Sequence, residues 1–272
     1  MRDEPMSLTR VQFDELTSLD NTGKLSRAEL QALEPYRVKR AVFIAAGFGS
    51  RMVPITINTP KPLIRVKGVR IIDTLLDAVC AAGIEEIVIV RGYLGEQFDQ
   101  LKYKYPQVKF LENHIYREAN NISSLLCARH LLRNSYVIES DLLLYNPKLI
   151  TKYQYTSNYL AIPVKHTGDW CFETQDKIIT KVKIGGENCH QMVGISYWNQ
   201  TDGAKLADHI ELAYSMPGGK DFYWDEVALK YFIDDYRVEA RECALSDIIE
   251  IDTFHELKTL DESYRCKDGI KT

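Results

Sequence analysis

The residues best suited to chemistry are Gly47-Phe48-Gly49-Ser50-Arg51, followed by Pro54, Thr56 and the closing run Thr59-Pro60-Lys61-Pro62. They come directly after an apolar stretch, Ala41–Ala45, that reads as a strand. Gly47 and Gly49 let the backbone approach a phosphate chain, and successive N–H groups over Gly47–Ser50 can form an anion-binding nest. Arg51 and Lys61 add two full positive charges over the same phosphates. A dinucleotide site needs G-x-G-x-x-G opening directly into a helix, which Pro54, Pro60 and Pro62 forbid. The pattern G-x-x-x-x-G-K-[ST] is absent as well. A plain proline-rich surface loop would leave Arg51 and Lys61 without a role.

Two carboxylates answer these cations. Asp141 follows the apolar run Tyr136–Glu139, and Asp252 follows the short run Ile248–Ile251. Ligands of a parallel sheet bind outside the carboxyl ends of its strands. Mg²⁺ prefers one or two carboxylates together with substrate phosphates, so Asp141 and Asp252 are the expected metal ligands. The bland alternative for each is a strand-end Asp that caps the next turn. Asp225 and Glu250 are held in reserve for the metal or for a substrate cation. The six histidines show no paired spacing, and Lys102-Tyr103-Lys104-Tyr105 reads as an exposed helix end. Gly185-Gly186 and Gly218-Gly219 read as turns.

The elements that must position these groups alternate along the chain. Strands are expected at Ala41–Ala45, Glu86–Val90, Val108–Leu111 and Tyr136–Glu139, with helices at Ile71–Ala82, Glu96–Tyr103 and Ile122–Leu132 between them. This alternation predicts an α/β fold, a mostly parallel sheet flanked by helices. After Asp141 the order is mixed. Strands are expected near Tyr159–Val164, Ile178–Ile184 and Gln191–Trp198, and helices near Ala204–Tyr214 and Phe222–Phe232.

Residues 1–38 read as a helical appendage to a catalytic domain over 39–272. Leu8, Val11, Phe13 and Leu16 form an apolar face, Asn21-Thr22-Gly23 breaks it, and Ser26 caps a second run through Leu30 and Leu33. The simplest role is packing. A truncated winged-helix fragment is a second reading. A calcium loop over Ser18–Glu29 is a third, short of carboxylates because Ser18 stands at its first position.

Composition sets the outer limits. The 272 residues suffice for one large domain, and 34 basic against 38 acidic side chains give a net charge of −4, with no global footprint for nucleic acid. No apolar stretch is long enough for a membrane span, and Met1–Pro5 has no apolar core of a signal peptide. Six scattered cysteines without a Cys-x-x-Cys pair suggest reduced thiols in a cytoplasm.

The run of Gly, Gly, Ser, Arg, Pro, Thr, Pro and Lys between Gly47 and Pro62 is similar to the signature of the nucleotidyltransferase superfamily that includes sugar-nucleotide pyrophosphorylases. Further segments narrow the match: Arg91–Phe98, Asn120–Leu125, Glu139-Ser140-Asp141, Tyr223-Trp224-Asp225 and Glu250–Thr253. With them the chain resembles the bacterial phosphocholine cytidylyltransferases over roughly residues 39 to 262. The resemblance implies a Rossmann-like, nucleotide-diphospho-sugar transferase type of fold. It also implies a reaction: CTP and phosphocholine give CDP-choline and pyrophosphate with Mg²⁺. Sugar-nucleotide enzymes carry a Glu-Lys-Pro and a Gly-rich loop over the base; this chain has no Glu-Lys-Pro and has Asn120-Asn121 at the loop.

Arg51 and Lys61 would then act on the triphosphate, and Asn120 and Ser123 on cytosine or ribose, helped by backbone groups near Ala45, Ala46 and Gly92. A quaternary ammonium is held by aromatic faces, which nominates Trp170, Tyr223 and Trp224, with Asp225 and Glu250 as acidic neighbours. The alternatives are 2-aminoethylphosphonate or another amino-alkyl phosphate as acceptor, a sugar 1-phosphate, or a nucleotide-sensing regulator. No nucleic-acid or membrane partner is expected, and a homodimer is allowed.

Overall fold

A computed structural model describes residues 7–20 and 22–265, so the readings placed on Met1–Pro5, Asn21 and Cys266 lie outside the described residues. The first strand, β1 (Arg40–Ala45), is buried along nearly its whole length because it sits inside the sheet with a layer on each face. Alternate side chains part company there: Ala41, Phe43 and Ala45 enter one apolar cluster, Val42 and Ile44 the other. On the first face lies α3 (Ile71–Ala81), whose Leu75, Leu76 and Val79 pack on Ile87 and Ile89. On the second lie α4 (Ile122–Ala128) and α5 (Gln200–Ser215), packed around Trp198 and Trp224.

The main sheet has seven strands in the order β10-β8-β9-β6-β1-β4-β5. β1 pairs in parallel with β4 (Glu86–Arg91) and β6 (Ser135–Glu139), and β4 with β5 (Val108–Glu112). β9 (Ile178–Trp198) runs antiparallel to both β6 and β8 (Asn158–Gln175), and β10 (Glu239–Glu242) lies parallel to β8. The expected mostly parallel α/β sheet is therefore what the chain forms. Ala45 stands opposite Arg91 and Ile44 opposite Glu139, so three strand ends open on the same edge.

Two small sheets complete the frame. β2 (Arg65–Val66) and β3 (Val69–Arg70) make a hairpin, and β7 (Leu142–Leu144) pairs antiparallel with β11 (Ile248–Glu250). The second pairing matters most, because it brings a distant C-terminal segment beside β6. The Ile251 N–H donates to the Asp141 carbonyl at 3.1 Å.

Several boundaries differ from the sequence expectation. Ile178–Ile184 and Gln191–Trp198 are parts of one long strand, so Gly185-Gly186 is no turn; Gly186 pairs with Thr167 inside the hairpin. The hairpin reverses instead at Asp176-Lys177, both with positive φ. Register shifts let Cys171 oppose both Lys183 and Gln191, folding the arm back on itself. Glu96–Tyr103 is a 3₁₀ segment, Gly95–Tyr103, whose Gly95 carbonyl accepts from Arg91 Nη1 at 2.8 Å. The helix expected over Phe222–Phe232 is a single turn, α6 (Trp224–Glu226), continued by a π-turn over Val227–Tyr231.

At the amino end, α1 (Arg10–Asp20) and α2 (Arg27–Leu33) form the expected pair, and Ser26 caps α2 in a reciprocal box with Glu29. Phe13 sits 5.3 Å from the rings of both Tyr36 and Tyr155, and Leu33 and Tyr153 close the cluster. The calcium-loop spacing does not make a loop: α1 runs through Asp20, which pairs with Lys152 at 2.8 Å, while Glu29 is spent on its cap. At the other end, α7 (Phe254–Leu260) begins behind Thr253, whose box with Glu256 anchors the segment just after Asp252. Among the described residues, no helix is long and apolar enough to cross a membrane.

Candidate active site

Two adjoining cavities open at the carboxyl edge of β1 and β6. The first, about 310 Å³, is lined by Ala45, Ala46, Gly47 and Gly49 on one side and by Asn113, Tyr116 and the Asn120–Ser124 helix start on the other. The second, about 510 Å³, is lined by Asp169, Trp170, Tyr223, Asp225, Glu250 and Asp252. Arg51, Asn121, Glu139 and Asp141 belong to both walls. The two cavities therefore join at those four side chains.

Lys61 is the electrostatic pivot between them. Its ammonium lies 2.8 Å from Asp141 Oδ2 and 3.0 Å from Asp252 Oδ1. Burial by itself would lower its pKa, but the two carboxylates more than offset that and hold it above the ordinary lysine value. Arg51 reaches the same Asp252 oxygen at 2.7 Å from the exposed rim. The loop ahead of Arg51 turns at Gly49, whose φ of +67° suits glycine and whose carbonyl accepts from Thr56 Oγ1 at 3.0 Å. An added Cβ would sit 3.2 Å from Lys61 Cβ. Gly49 thus places Lys61, whereas Gly47 faces open space in the cavity.

Acidic groups crowd the junction. Asp141, Glu250 and Asp252 each offer a carboxylate oxygen within 4.8 Å of the others, and Asp141 Oδ1 is buried with no hydrogen-bond partner. Such an orphaned oxygen is costly unless a cation or a donor arrives, which fits a divalent metal at this place. Glu250 opens onto the cleft, yet the protein packed around it, with Asp141 and Asp252 beside it, pushes its carboxyl up to about 9. Glu139 is raised to about 8, chiefly by burial and then by Asp141. Trp224 Nε1 donates to it at 2.7 Å and Asn121 Nδ2 at 3.3 Å. Asp225, raised to about 6 by burial and by neighbouring Glu226, accepts from the Tyr159 hydroxyl at 3.3 Å.

Most residues singled out from the sequence reach the cleft: Ala45, Ala46, Gly47, Gly49, Arg51, Lys61, Asn120, Ser123 and Asp141 in the first cavity. Ser50, Trp170, Tyr223, Asp225, Glu250 and Asp252 meet in the second. Three others are placed differently. Trp224 is fully buried, stacked on Tyr159 at 6.2 Å and edge-on to Trp198, so it offers no face to a substrate cation. Phe48 turns away onto Tyr93, ring to ring at 4.7 Å. Gly92 lies beneath Tyr116, where a Cβ would come within 2.7 Å of the ring, so it shapes the wall from behind.

Two more side chains are present but committed to structure. Asn120 Nδ2 donates to the Asp221 carbonyl, and Ser123 Oγ donates to the Asn120 carbonyl while accepting from Asn113. The aromatic pair that remains in the second cavity is Trp170 with Tyr223, 5.8 Å apart and edge to face. Tyr223 is 42% exposed, leaving its ring accessible.

Sequence reasoning passed over Glu139, Asn121, Asn113 and Tyr116 as site residues. The first had a readable signal, a charged residue ending an otherwise apolar strand two places before Asp141. Asn113 had a weaker one, since it follows the end of β5 on the same sheet edge. Asn121 stood in a segment the resemblance had marked, but its role did not show, because its two side-chain contacts lie 18 and 103 residues away along the chain.

Comparison with known proteins follows the same outline. The profile of the MobA-like NTP transferase domain matches residues 41–164. The chain is 36% identical to a 2-aminoethylphosphonate cytidylyltransferase of Lancefieldella rimae over 82% of this chain and 92% of that one. It is 34% identical to a choline-phosphate cytidylyltransferase of Streptococcus pneumoniae over 82% of this chain and 97% of the relative. The solved structure of a CTP:phosphocholine cytidylyltransferase from Streptococcus pneumoniae superposes with a TM-score of 0.77 at 31% identity, covering 84% of this chain and 99% of that chain.

Proposed function

Given that the chain belongs to the cytidylyltransferase family of nucleotidyltransferases, we propose that it joins CTP to phosphocholine, releasing pyrophosphate and forming CDP-choline. The observation that carries the acceptor is the corner of Trp170 and Tyr223, facing a ring of carboxylates in the second cavity. Aromatic faces attract a quaternary ammonium that cannot donate hydrogen bonds. The carboxylates of Asp169 and Asp225 add longer-range attraction.

In this reading CTP lies in the first cavity, its triphosphate over Gly47–Ser50 and against Arg51 and Lys61. The acceptor's phosphate meets it at the junction, where one of its oxygens attacks the α-phosphorus in line. No covalent enzyme intermediate is needed, since the acceptor is already an anionic nucleophile. Catalysis rests on holding two anions together and stabilising charge at the α-phosphorus, the task of Lys61 and Arg51, which both contact Asp252 Oδ1. Asp141 and Asp252, with Glu250 as a third ligand, would hold Mg²⁺, which neutralises phosphate charge. Asn121 ties the two halves, accepting from the Trp224 N–H at 2.9 Å while its amide reaches Glu139.

A second reading, 2-aminoethylphosphonate as acceptor, is supported by the burial of Trp224. That leaves two aromatic faces among several carboxylates, a setting that also suits a primary ammonium with three N–H donors. Pyrophosphate release, measured with each of four NTPs against phosphocholine, 2-aminoethylphosphonate and glucose 1-phosphate, separates the readings. CTP with phosphocholine should give the highest kcat/KM. A higher value with 2-aminoethylphosphonate installs the second reading, and activity confined to UTP or dTTP with the sugar phosphate removes both.

A further inference from the structure

Among the described residues, only three buried side-chain polar atoms lack a hydrogen-bond partner: Ser140 Oγ, Asp141 Oδ1 and Arg241 Nη2. The first two border the nucleotide cavity, where substrate and metal are expected to satisfy them. Arg241 is far from that edge. It lies on β10, the edge strand of the sheet, with β8 and β9 between it and β6, the strand that leads to Asp141. A guanidinium is always charged and has five donors, so an unmatched N–H held out of water asks for an acceptor.

The surroundings of Arg241 are hollow. It lines a cavity of about 1060 Å³ between α1 and residues 147–155, and a second of about 440 Å³ beside Glu239 and Glu242. Its Nε donates to Asn158 Oδ1 at 3.0 Å, a neutral partner, and no carboxylate of the described residues lies within ion-pair distance. Of the nearby acids, Asp14 lines both cavities but does not reach Arg241 within ion-pair distance, and three others are committed elsewhere. Glu239 is held by Arg10 at 2.6 Å, Asp20 by Lys152 at 2.8 Å, and Glu242 faces His190 at 3.1 Å. Lys148 stands exposed on the wall of the larger cavity, with no ion-pair partner among the described residues.

We propose that this cavity is a second ligand site, separate from the catalytic cleft, in which Arg241 receives the oxyanion of a small phosphate- or carboxylate-bearing molecule. With Nε held by Asn158, the guanidinium donates to either group through its two Nη atoms, and Lys148 adds charge at the mouth. The other wall is α1, so an occupant bridges the amino-terminal helix pair to β10 and ties it to the sheet. From Arg241 the chain continues through β11 to Glu250 and Asp252, which places the site on the segment that supplies two acids of the catalytic cleft.

Hydrogen exchange of the full-length protein, with inorganic phosphate and acetate added in separate arms, tests this. Phosphate or acetate should slow exchange in peptides covering residues 10–17 and 151–155, in the wild type and in Lys61→Ala alike. The arm that protects identifies the oxyanion. Arg241→Met should abolish that protection with CTP turnover unchanged, and Arg241→Lys, which keeps the charge but not the fork, should weaken binding about tenfold. Protection confined to residues 47–61, or undiminished in Arg241→Met, overturns the proposal. Should Arg241→Met fail to fold, the wild-type exchange pattern decides alone: slowing at 10–17 and 151–155 supports the site, and its absence there in both arms refutes it.

Discussion

A single lysine holds the acidic junction together, because Lys61 touches both Asp141 and Asp252 from a position almost closed to water. Removing it withdraws a charge from the developing transition state and leaves two carboxylates facing each other. Lys61→Ala and Asp141→Ala should each lower CTP turnover by about a hundredfold or more, with an unchanged far-ultraviolet circular dichroism spectrum. Near-normal product formation by either would sink the proposed roles. The acceptor pocket offers a finer test. An aromatic face over a cation contributes about 0.5–2 kcal/mol, so Trp170→Leu should cost kcat/KM for phosphocholine up to about thirtyfold. The same change should matter less for 2-aminoethylphosphonate, whose ammonium can still bond carboxylates, while Asp225→Asn should weigh more on the primary amine. Steady-state kinetics of both variants with both acceptors would show the crossover or its absence.

At the scale of elements, the cleft depends on segments that meet only through hydrogen bonds between distant parts of the chain. The start of α4 is latched to the 218–224 segment: the Asn120 N–H donates to the Lys220 carbonyl at 2.7 Å, and Asn121 receives the Trp224 N–H. One latch therefore joins the walls of the two cavities. Asn121→Ala should raise KM for CTP and for the acceptor in parallel, by about tenfold; a rise confined to one substrate would contradict the shared latch. The amino-terminal helices obey a different logic. They dock through the small cluster of Phe13, Leu33 and Tyr153, away from the strand ends that carry the site. Phe13→Ala should cost roughly 3 kcal/mol of local stability, seen as faster hydrogen exchange over residues 10–33, while CTP turnover stays near the wild-type value.

Across the whole molecule, the acidic junction makes stability depend on pH. Glu139 and Glu250 are raised to about 8 and about 9, above the usual carboxylate range near 4.5. Below pH 4.5 both are protonated whether the chain is folded or not. As pH rises toward 8 or 9, the unfolded chain loses these protons first, so the metal-free protein should lose stability progressively over that window. The loss is on the order of a few kcal/mol at most, because the cleft admits water. Melting of chelated protein should show it as a falling Tm between pH 5 and 8, and Glu139→Gln should flatten the slope. A divalent cation among Asp141, Glu250 and Asp252 reverses the local preference, so Mg²⁺ should raise Tm most at the alkaline end. A Tm that climbs with pH in the chelated protein would refute this assignment.

What the sequence determined by itself is local and periodic. Apolar alternation and turn chemistry made the parallel core legible, and the fixed spacing from Gly47 to Lys61 marked a glycine-rich loop that lines the first cavity, because both depend on residues near one another in the chain. Asp141 was readable because a strand end is a local feature with a known place in such sheets. The tertiary structure alone decided which distant groups share the junction. Asp252 meets Lys61 across 191 residues through the β7–β11 pairing, and Asn121 meets Trp224 across 103. It also decided which of two adjacent aromatics faces the second cavity: α6 begins at Trp224, so Tyr223 stays at the surface while Trp224 turns into the core. Composition is the same for either choice; packing, which depends on what arrives from elsewhere in the chain, is not.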